Sequence, residues 1–146
     1  MKNIFIMGAF FNTDQQDIDV YSYIADVFKT TFKNVSITQP IDIENYRNNF
    51  IKENPNADIN TINKAMVDYD LFKIKKADLL FCDVSNKSTG VGIELGVAKE
   101  HNINIVFCAK KNSKISNMVY GAFPDKNVYY YSSLNDLQKY IKTLKL

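Results

Sequence analysis

Two acidic residues and a glycine-rich turn are the features of this sequence that could do chemistry. The turn runs from Asp83 to Gly96, reads DVSNKSTGVGIELG and contains Glu94, and Asp70 lies upstream of it. Two carboxyl groups beside a sugar can divide into a nucleophile and a proton donor, which is the arrangement that forms a covalent glycosyl intermediate. Each residue also has a plainer interpretation. Glu94 could supply favourable charge at a helix N-terminus, and Asp70 could be a solvated carboxylate.

The turn itself predicts a binding site for an anionic or oxygen-rich group. Gly90 and Gly92 would let the backbone approach a ligand, and the free N–H groups at the start of the following helix favour negative charge. Ser88 and Thr89 add hydroxyl donors. The segment matches neither the dinucleotide fingerprint nor a P-loop, because it lacks a correctly placed third glycine and a Gly-Lys-Ser/Thr sequence. A turn that serves packing alone is the alternative.

The elements that would position these residues alternate between short apolar runs and longer segments of helical periodicity. This alternation predicts strands joined by crossover helices. The runs LLFCDV and NIVFCA are typical of parallel strands covered on both faces. We therefore expect one α/β domain over residues 1–146, a doubly wound flavodoxin- or Rossmann-like fold with a five-stranded, mostly parallel sheet. The expected strands are Asn3–Gly8, Val35–Thr38, Asp78–Val84, Ile103–Ala109 and Asn127–Tyr131.

Helices are expected between these strands. The first should begin near Thr13 or Asp14, the second should run from about Asp58 to Lys75, a third should follow the glycine-rich turn, and the last should span Ser133 to about Leu144. The segment Ile41–Asn56 is the least regular and could be a mobile flap. The apolar positions assigned to the helices are Ile18, Tyr21, Ile24, Ala25 and Phe28 in the first, Ile59, Ile62, Met66, Tyr69 and Phe72 in the second, and Ile93, Leu95, Val97 and Ala98 in the third.

Composition limits the class of protein. With 146 residues, 46% of them hydrophobic, the chain can form one core without disulfides or metal. The net charge of +2 comes from scattered residues, so neither nucleic acid nor a membrane is an expected partner. Cys82 and Cys108 lie inside apolar runs and should be buried thiols in a reducing, cytoplasmic compartment. We expect no signal peptide or membrane-spanning helix, and one His with two strand cysteines cannot assemble a zinc site.

A resemblance to a known family rests on four segments distributed over most of the chain. They are Gly8–Asn12, Asp70–Asp78, Ser88–Gly96 and Ile115–Gly121, and the third, with an upstream Asp, is the most specific. In these segments the sequence resembles the nucleoside 2-deoxyribosyltransferase family, including its branch of 2'-deoxynucleoside 5'-phosphate N-hydrolases. The resemblance implies that Glu94 attacks the anomeric carbon, while Asp70 protonates or binds the departing base. Water resolves the glycosyl-enzyme in the hydrolases, and a second base does so in the transferases.

The resemblance also bears on the substrate. Transferases of free nucleosides usually have Asp at the position of Ser88 and Asn at that of Ser116, where they hold the 5'-hydroxyl. Serine at both positions is similar to the monophosphate hydrolases, in which the residue matching Ser116 comes from a neighbouring subunit. The resemblance therefore implies a 5'-monophosphate substrate and a homodimer or higher homo-oligomer, although each serine could be a plain helix cap or loop residue. The implied substrate-binding residues are Gly8, Phe10, Phe11, Ser88, Gly90, Gly92, Ser116 and Met118.

Three residues depart from the family pattern. Phe5 stands where the family commonly has a Tyr that hydrogen-bonds the nucleophile, and Tyr69 is a possible substitute. Phe10 and Phe11 stand where the hydrolases have an Arg, and they could stack on a base or simply pack. Base exchange on free deoxynucleosides is thus one alternative, and a nucleotide-binding module without catalysis is another. The implied chemistry requires no metal or organic cofactor.

Overall fold

The described chain forms a five-stranded sheet flanked by helices. The computed structural model describes residues 1–10 and 15–146, with side chains for residues 1–10 and 19–146. The strands are β1 (Lys2–Met7), β2 (Val35–Thr38), β3 (Leu79–Asp83), β4 (Ile105–Lys110) and β5 (Val128–Tyr131). The helices are α1 (Gln15–Thr31), α2 (Pro40–Glu53), α3 (Ile59–Lys75), α4 (Thr89–Glu100), α5 (Asn117–Ala122) and α6 (Leu134–Ile141).

The sheet confirms the predicted doubly wound fold. Its order is β2-β1-β3-β4-β5, and every neighbouring pair of strands is parallel. This is the flavodoxin-like order, in which the chain reverses its direction of winding between β1 and β3. The carboxyl ends of those two strands, which pair Met7 with Cys82, therefore border the crevice where such folds bind ligands.

Alternate residues of the central strands face two separate cores. In β1, Ile4 and Ile6 pack with α1 and α6, whereas Phe5 and Met7 pack on the opposite face with α3 and α4. All five residues of β3 are buried, as its uninterrupted apolar run predicted. Phe5 and Met7 thus lie on the face of the sheet that also carries the glycine-rich turn and its helix.

The segment predicted as a possible flap is instead the regular helix α2. Pro40 occupies its first turn, where a missing N–H costs nothing, and the backbone N–H of Gln39 donates to Oδ2 of Asp42 at 2.9 Å. Ile43 is buried against the α3/α4 core. The helix packs against α3 and has Ile43 as its buried residue, so most of its surface is polar, and this explains why its sequence resembled a loop.

Two further predictions about the helices were wrong in part. The short helix α5 was not expected, and Ile59, Phe72 and Ile93 are more than half exposed although they were assigned to apolar helix faces. In α3 the core is reached at Ile62 and Ile74. Tyr21, Ile24, Ala25 and Phe28 of α1 are buried as predicted, while the start of that helix at Thr13 or Asp14 lies outside the described residues.

The two cysteines agree with the expectation of buried thiols. Cys82 and Cys108 are both fully buried and carry free thiols. None of the helices in the described part of the chain is long and apolar enough to span a bilayer.

Candidate active site

A cavity of about 720 Å³ opens at the carboxyl ends of β1 and β3. This volume lies within the range of small-molecule sites. Its walls come from the end of β1, the start of α2, the middle of α3, and the loop and first turns around the N-terminus of α4. The predicted site residues that line it are Gly8, Phe10, Asp70, Ser88, Gly90 and Glu94.

Asp70 from α3 and Glu94 from α4 interact inside this cavity. Burial raises the pKa of Asp70, and a hydrogen bond from Glu94 partly offsets that rise. Burial, the negative charge of Asp70 and the same hydrogen bond raise the pKa of Glu94 well above its ordinary value. Within the described part of the chain, Oδ1 of Asp70 is buried and has no hydrogen-bond partner. The raised pKa values make this pair more prone to hold a proton than two free carboxyls are.

The pKa values of both carboxyls are raised, and that of Glu94 lies well above its ordinary value. Because the two groups interact, a proton that they hold belongs to the pair and not to one residue. Burial raises the pKa of the Cys82 thiol on β3, and the nearby charges of Glu94 and Asp83 raise it further. That thiol stays protonated, so it is not a competing nucleophile.

The loop after β1 is held in place by a contact between α1 and the cavity wall. The Tyr21 hydroxyl donates to the carbonyl of Ala9 at 2.7 Å. A Cβ atom at Gly8 would overlap the ring and hydroxyl of Tyr21, so only glycine allows this close approach. Phe10, the next residue that lines the cavity, also packs against the α1/α6 core. Gly8 is thus required for packing beside the site, in addition to lining the cavity.

Asp83 stabilises the turn that leads to α4 and is not available to a sugar. Its Oδ1 accepts from the backbone N–H of Ser85 at 2.8 Å, and its Oδ2 accepts from the Tyr131 hydroxyl at 2.7 Å. The side chain is only 6% exposed. Ser85 in turn accepts from the backbone N–H of Lys110 at 2.7 Å, which ties the turn to β4. Asp83 therefore caps this turn.

The N-terminus of α4 forms the wall of the cavity next to the carboxyl pair. Ser88 is its N-cap, with Oγ accepting from the backbone N–H of Val91 at 3.3 Å, so the helix-cap interpretation of this serine holds. Ser88, Thr89 and Gly90 nevertheless line the cavity. Gly92, which is exposed, does not line the cavity.

Other predicted residues lie away from the cavity of this chain. Ser116 is the N-cap of α5, where its Oγ accepts from the backbone N–H of Met118 at 3.2 Å, and Met118 is 79% exposed. Neither residue lines the cavity. Phe11 lies outside the described residues.

Tyr69 does not replace the tyrosine that the family commonly has on the first strand. Its ring stacks on that of Tyr46 in α2 with centroids 3.9 Å apart, and it lines a shallow groove between α2 and α3. Phe5 is buried and lines the cavity without any polar atom to offer Glu94. Asp70 is the acidic neighbour with which the nucleophile candidate interacts in the cavity.

Several lining residues were missed from the sequence. Lys87 directly precedes Ser88 in the glycine-rich turn, so its position was a usable signal. Met66 lies one helical turn before Asp70, and the spacing of four places both on one face. Pro40 and Ile43 could not be found while their segment was taken for a flap.

Comparisons with known proteins define the class of fold. No protein-family model and no curated protein matches the sequence. A CMP N-glycosidase from Clostridium botulinum is 15% identical over 96% of this chain and 98% of its own, with a TM-score of 0.59. A 2-deoxyribosyltransferase from Bacillus psychrosaccharolyticus is 20% identical over 98% of this chain and 92% of its own, with a TM-score of 0.66. One from Leishmania mexicana is 14% identical over the full length of both chains, with a TM-score of 0.62.

The chain therefore has the fold found in these deoxyribosyltransferases and in the N-glycosidase. An azoreductase from Bacillus anthracis, 10% identical over 99% of this chain and 100% of its own, has the same general fold with a TM-score of 0.53. Because one fold accommodates unrelated reactions, the activity has to be argued from the cavity and its carboxyl pair.

Proposed function

We propose that this chain is an N-glycosidase of the nucleoside 2-deoxyribosyltransferase family, which cleaves 2'-deoxynucleoside 5'-monophosphates into free base and deoxyribose 5-phosphate. The main support is the interacting pair of Asp70 and Glu94 in a nucleotide-sized cavity. Two carboxyl groups that share a proton provide both functions that glycosidic cleavage needs, an acid for the leaving base and a nucleophile for the sugar.

The first step forms the glycosyl-enzyme. When a base contacts Asp70, the proton of the pair is held by Asp70 and Glu94 is the carboxylate. Glu94 then attacks C1' of the deoxyribose, and the C1'–N bond breaks as Asp70 gives its proton to the base. The transition state resembles an oxocarbenium ion, so the anion at Glu94 stabilises it as the base departs.

The second step restores the enzyme. Water attacks C1' and breaks the ester bond to Glu94, while Asp70, now a carboxylate, takes a proton from that water. The products are the free base and deoxyribose 5-phosphate, and the pair again holds one proton. No metal or organic cofactor takes part in this sequence.

The first turn of α4 supports the proposal of a 5'-monophosphate substrate. Ser88, Thr89 and Gly90 line the cavity there, and backbone N–H groups at a helix N-terminus favour an anion. Ser116 would reach this region from a neighbouring copy, since it lies outside the cavity of its own chain, and the proposed assembly is a homodimer or higher homo-oligomer. The two free thiols agree with a reducing, cytoplasmic compartment.

The test is a chromatographic assay of 2'-deoxynucleosides and their 5'-monophosphates, each with and without an acceptor base. The proteins are the wild type, Glu94→Ala, and Glu100→Ala as a control at the exposed end of the same helix. We expect base release from the monophosphates by the wild type and Glu100→Ala, and a loss of at least about a thousandfold in Glu94→Ala. Exchange on free nucleosides would make the protein a transferase. Saturable binding without turnover would make it a binding module.

A further inference from the structure

We propose that Lys87 is the residue that selects a 5'-phosphorylated substrate, by pairing its ammonium group with the phosphate. This inference deepens the proposed function and rests on it for the identity of the substrate. Lys87 belongs to the glycine-rich turn between β3 and α4 and lines the cavity immediately before the N-cap Ser88.

The charges that line the cavity are unevenly distributed. Among the lining residues within the described part of the chain, Lys87 is the only basic one, and Asp70 and Glu94 are the only acidic ones. The carboxyl pair is largely buried, whereas Lys87 is exposed at the rim. A ligand that fits this pattern places a centre of developing positive charge near the pair and an anion near Lys87. A nucleoside 5'-monophosphate has both features.

Lys87 is available for such an anion. It forms no ion pair with the described residues. Ser88 and Glu94 are six residues apart, which is about 9 Å along the axis of α4. A substrate whose sugar lies over the carboxyl pair and whose 5' substituent extends along the helix would place that substituent at the Lys87 end of the cavity.

The other groups at this end of the cavity cannot supply the same charge. The Oγ of Ser88 already accepts the N–H of Val91, and a helix N-terminus carries only about half of an elementary charge. A phosphate monoester carries close to two negative charges at neutral pH. A lysine ammonium is a compact full charge on a flexible stem, which suits phosphate at a partly exposed rim.

The first measurement is binding of 2-deoxyribose 5-phosphate and of 2-deoxyribose by calorimetry, which requires no turnover. The proteins are the wild type, Lys87→Gln, Lys87→Arg, and Lys29→Gln, which removes the same charge from the exposed end of α1. We expect Lys87→Gln to weaken binding of the phosphate roughly 10- to 100-fold, and Lys87→Arg and Lys29→Gln to stay within a few-fold of the wild type. Higher ionic strength should weaken binding to the wild type more than to Lys87→Gln.

The second measurement is steady-state cleavage of a 2'-deoxynucleoside 5'-monophosphate. Lys87→Gln should raise KM by a similar factor while kcat changes little, because the phosphate is remote from the bond that breaks. Loss of phosphate binding in Lys87→Gln together with an absence of cleavage by the wild type would retain the role of Lys87 and reject the proposed reaction. Equal phosphate binding by Lys87→Gln, Lys29→Gln and the wild type, or none by the wild type, would overturn the inference.

Discussion

The Tyr21 hydroxyl donates a hydrogen bond to the carbonyl of Ala9 at 2.7 Å and so fixes the loop that forms one wall of the cavity. Both residues are buried. Tyr21→Phe would leave the Ala9 carbonyl without this partner at a cost of about 1 to 3 kcal/mol, and the looser loop should raise KM more than it lowers kcat. Urea unfolding and steady-state kinetics measure the two effects. Tyr23→Phe on the same helix is the control, and equal losses in the two variants would contradict the assignment.

Gly8 gives a second test of the same contact. A side chain at this position meets the Tyr21 ring, so Gly8→Ala should destabilise the wild type by roughly 1 to 3 kcal/mol. In a Tyr21→Leu background the ring is absent, and Gly8→Ala should then cost much less. A double-mutant cycle by urea unfolding measures this coupling. Additive effects would show that the strain at Gly8 arises elsewhere.

The inward position of Tyr21 could be predicted from sequence, but its contact with Gly8 could not. Helical spacing puts Tyr21 on the same face as Ile24 and Phe28, and this face is buried. The approach to Gly8 depends on how α1 crosses the sheet, which a local pattern does not encode. For the same reason the sequence indicated Asp70 and Glu94 as a candidate pair, whereas their interaction depends on the packing of α3 against α4.

The misplaced predictions have a common physical cause. Gly92 and Ile93 were judged from residue type, whereas the direction of each side chain on α4 is set by helical rotation from the N-cap Ser88. Val91, Leu95 and Ala98 are the residues of α4 that reach the core. Glu94 lies one helical turn from both Val91 and Ala98 and consequently borders the core as well as the cavity. Knowing that Ser88 is the N-cap would have placed Gly92 and Ile93 correctly on the surface of α4.

The substitution Asp70→Asn should lower kcat most for substrates whose base is a poor leaving group. The amide cannot give a proton to the departing base, so we expect a loss of about a hundredfold or more with natural bases. A deoxyriboside with a good leaving group needs little protonation and should retain most of its rate. Asp68→Asn, two residues earlier on the exposed side of α3 and paired with Lys64, is the control. A uniform loss over all leaving groups would assign Asp70 to substrate binding instead of proton donation.

Removal of the Tyr131 hydroxyl should destabilise the protein without changing its chemistry. Tyr131→Phe leaves Oδ2 of the buried Asp83 without this partner, so we expect a cost of about 1 to 3 kcal/mol. The turn that Asp83 holds leads to Ser88, but Asp83 keeps its bond to the Ser85 N–H. Denaturant unfolding should show the loss, while kcat at a saturating substrate concentration changes less than about threefold. A large fall in kcat would give Asp83 a direct part in the reaction.

Activity should depend on pH through the carboxyl pair. The proposed reaction requires one proton on the pair, so kcat/KM should fall at low pH, where both carboxyls are protonated, and at high pH, where neither is. Because burial raises both pKa values, and that of Glu94 well above its ordinary value, the whole profile should lie at higher pH than two free carboxyls would give. Asp70→Asn should lose the alkaline limb that comes from the pair. An alkaline limb that persists unchanged in this variant would reject the shared-proton mechanism.

The pH dependence of stability should report the ionisation of the same carboxyl pair. It is measured without substrate, so the ionisation of the substrate phosphate does not contribute. A carboxyl whose folded pKa is raised contributes stability that is fully present below its unfolded pKa and is lost as pH rises through the folded value. Glu94→Gln cannot ionise, so it should become increasingly more stable than the wild type as pH rises from about 4 towards 8. Urea unfolding at several pH values measures this difference, with Glu100→Gln as the control for the change in net charge. A constant difference between Glu94→Gln and the wild type over that range would mean that Glu94 ionises in the folded protein as readily as in the unfolded chain, which would contradict the raised pKa of Glu94.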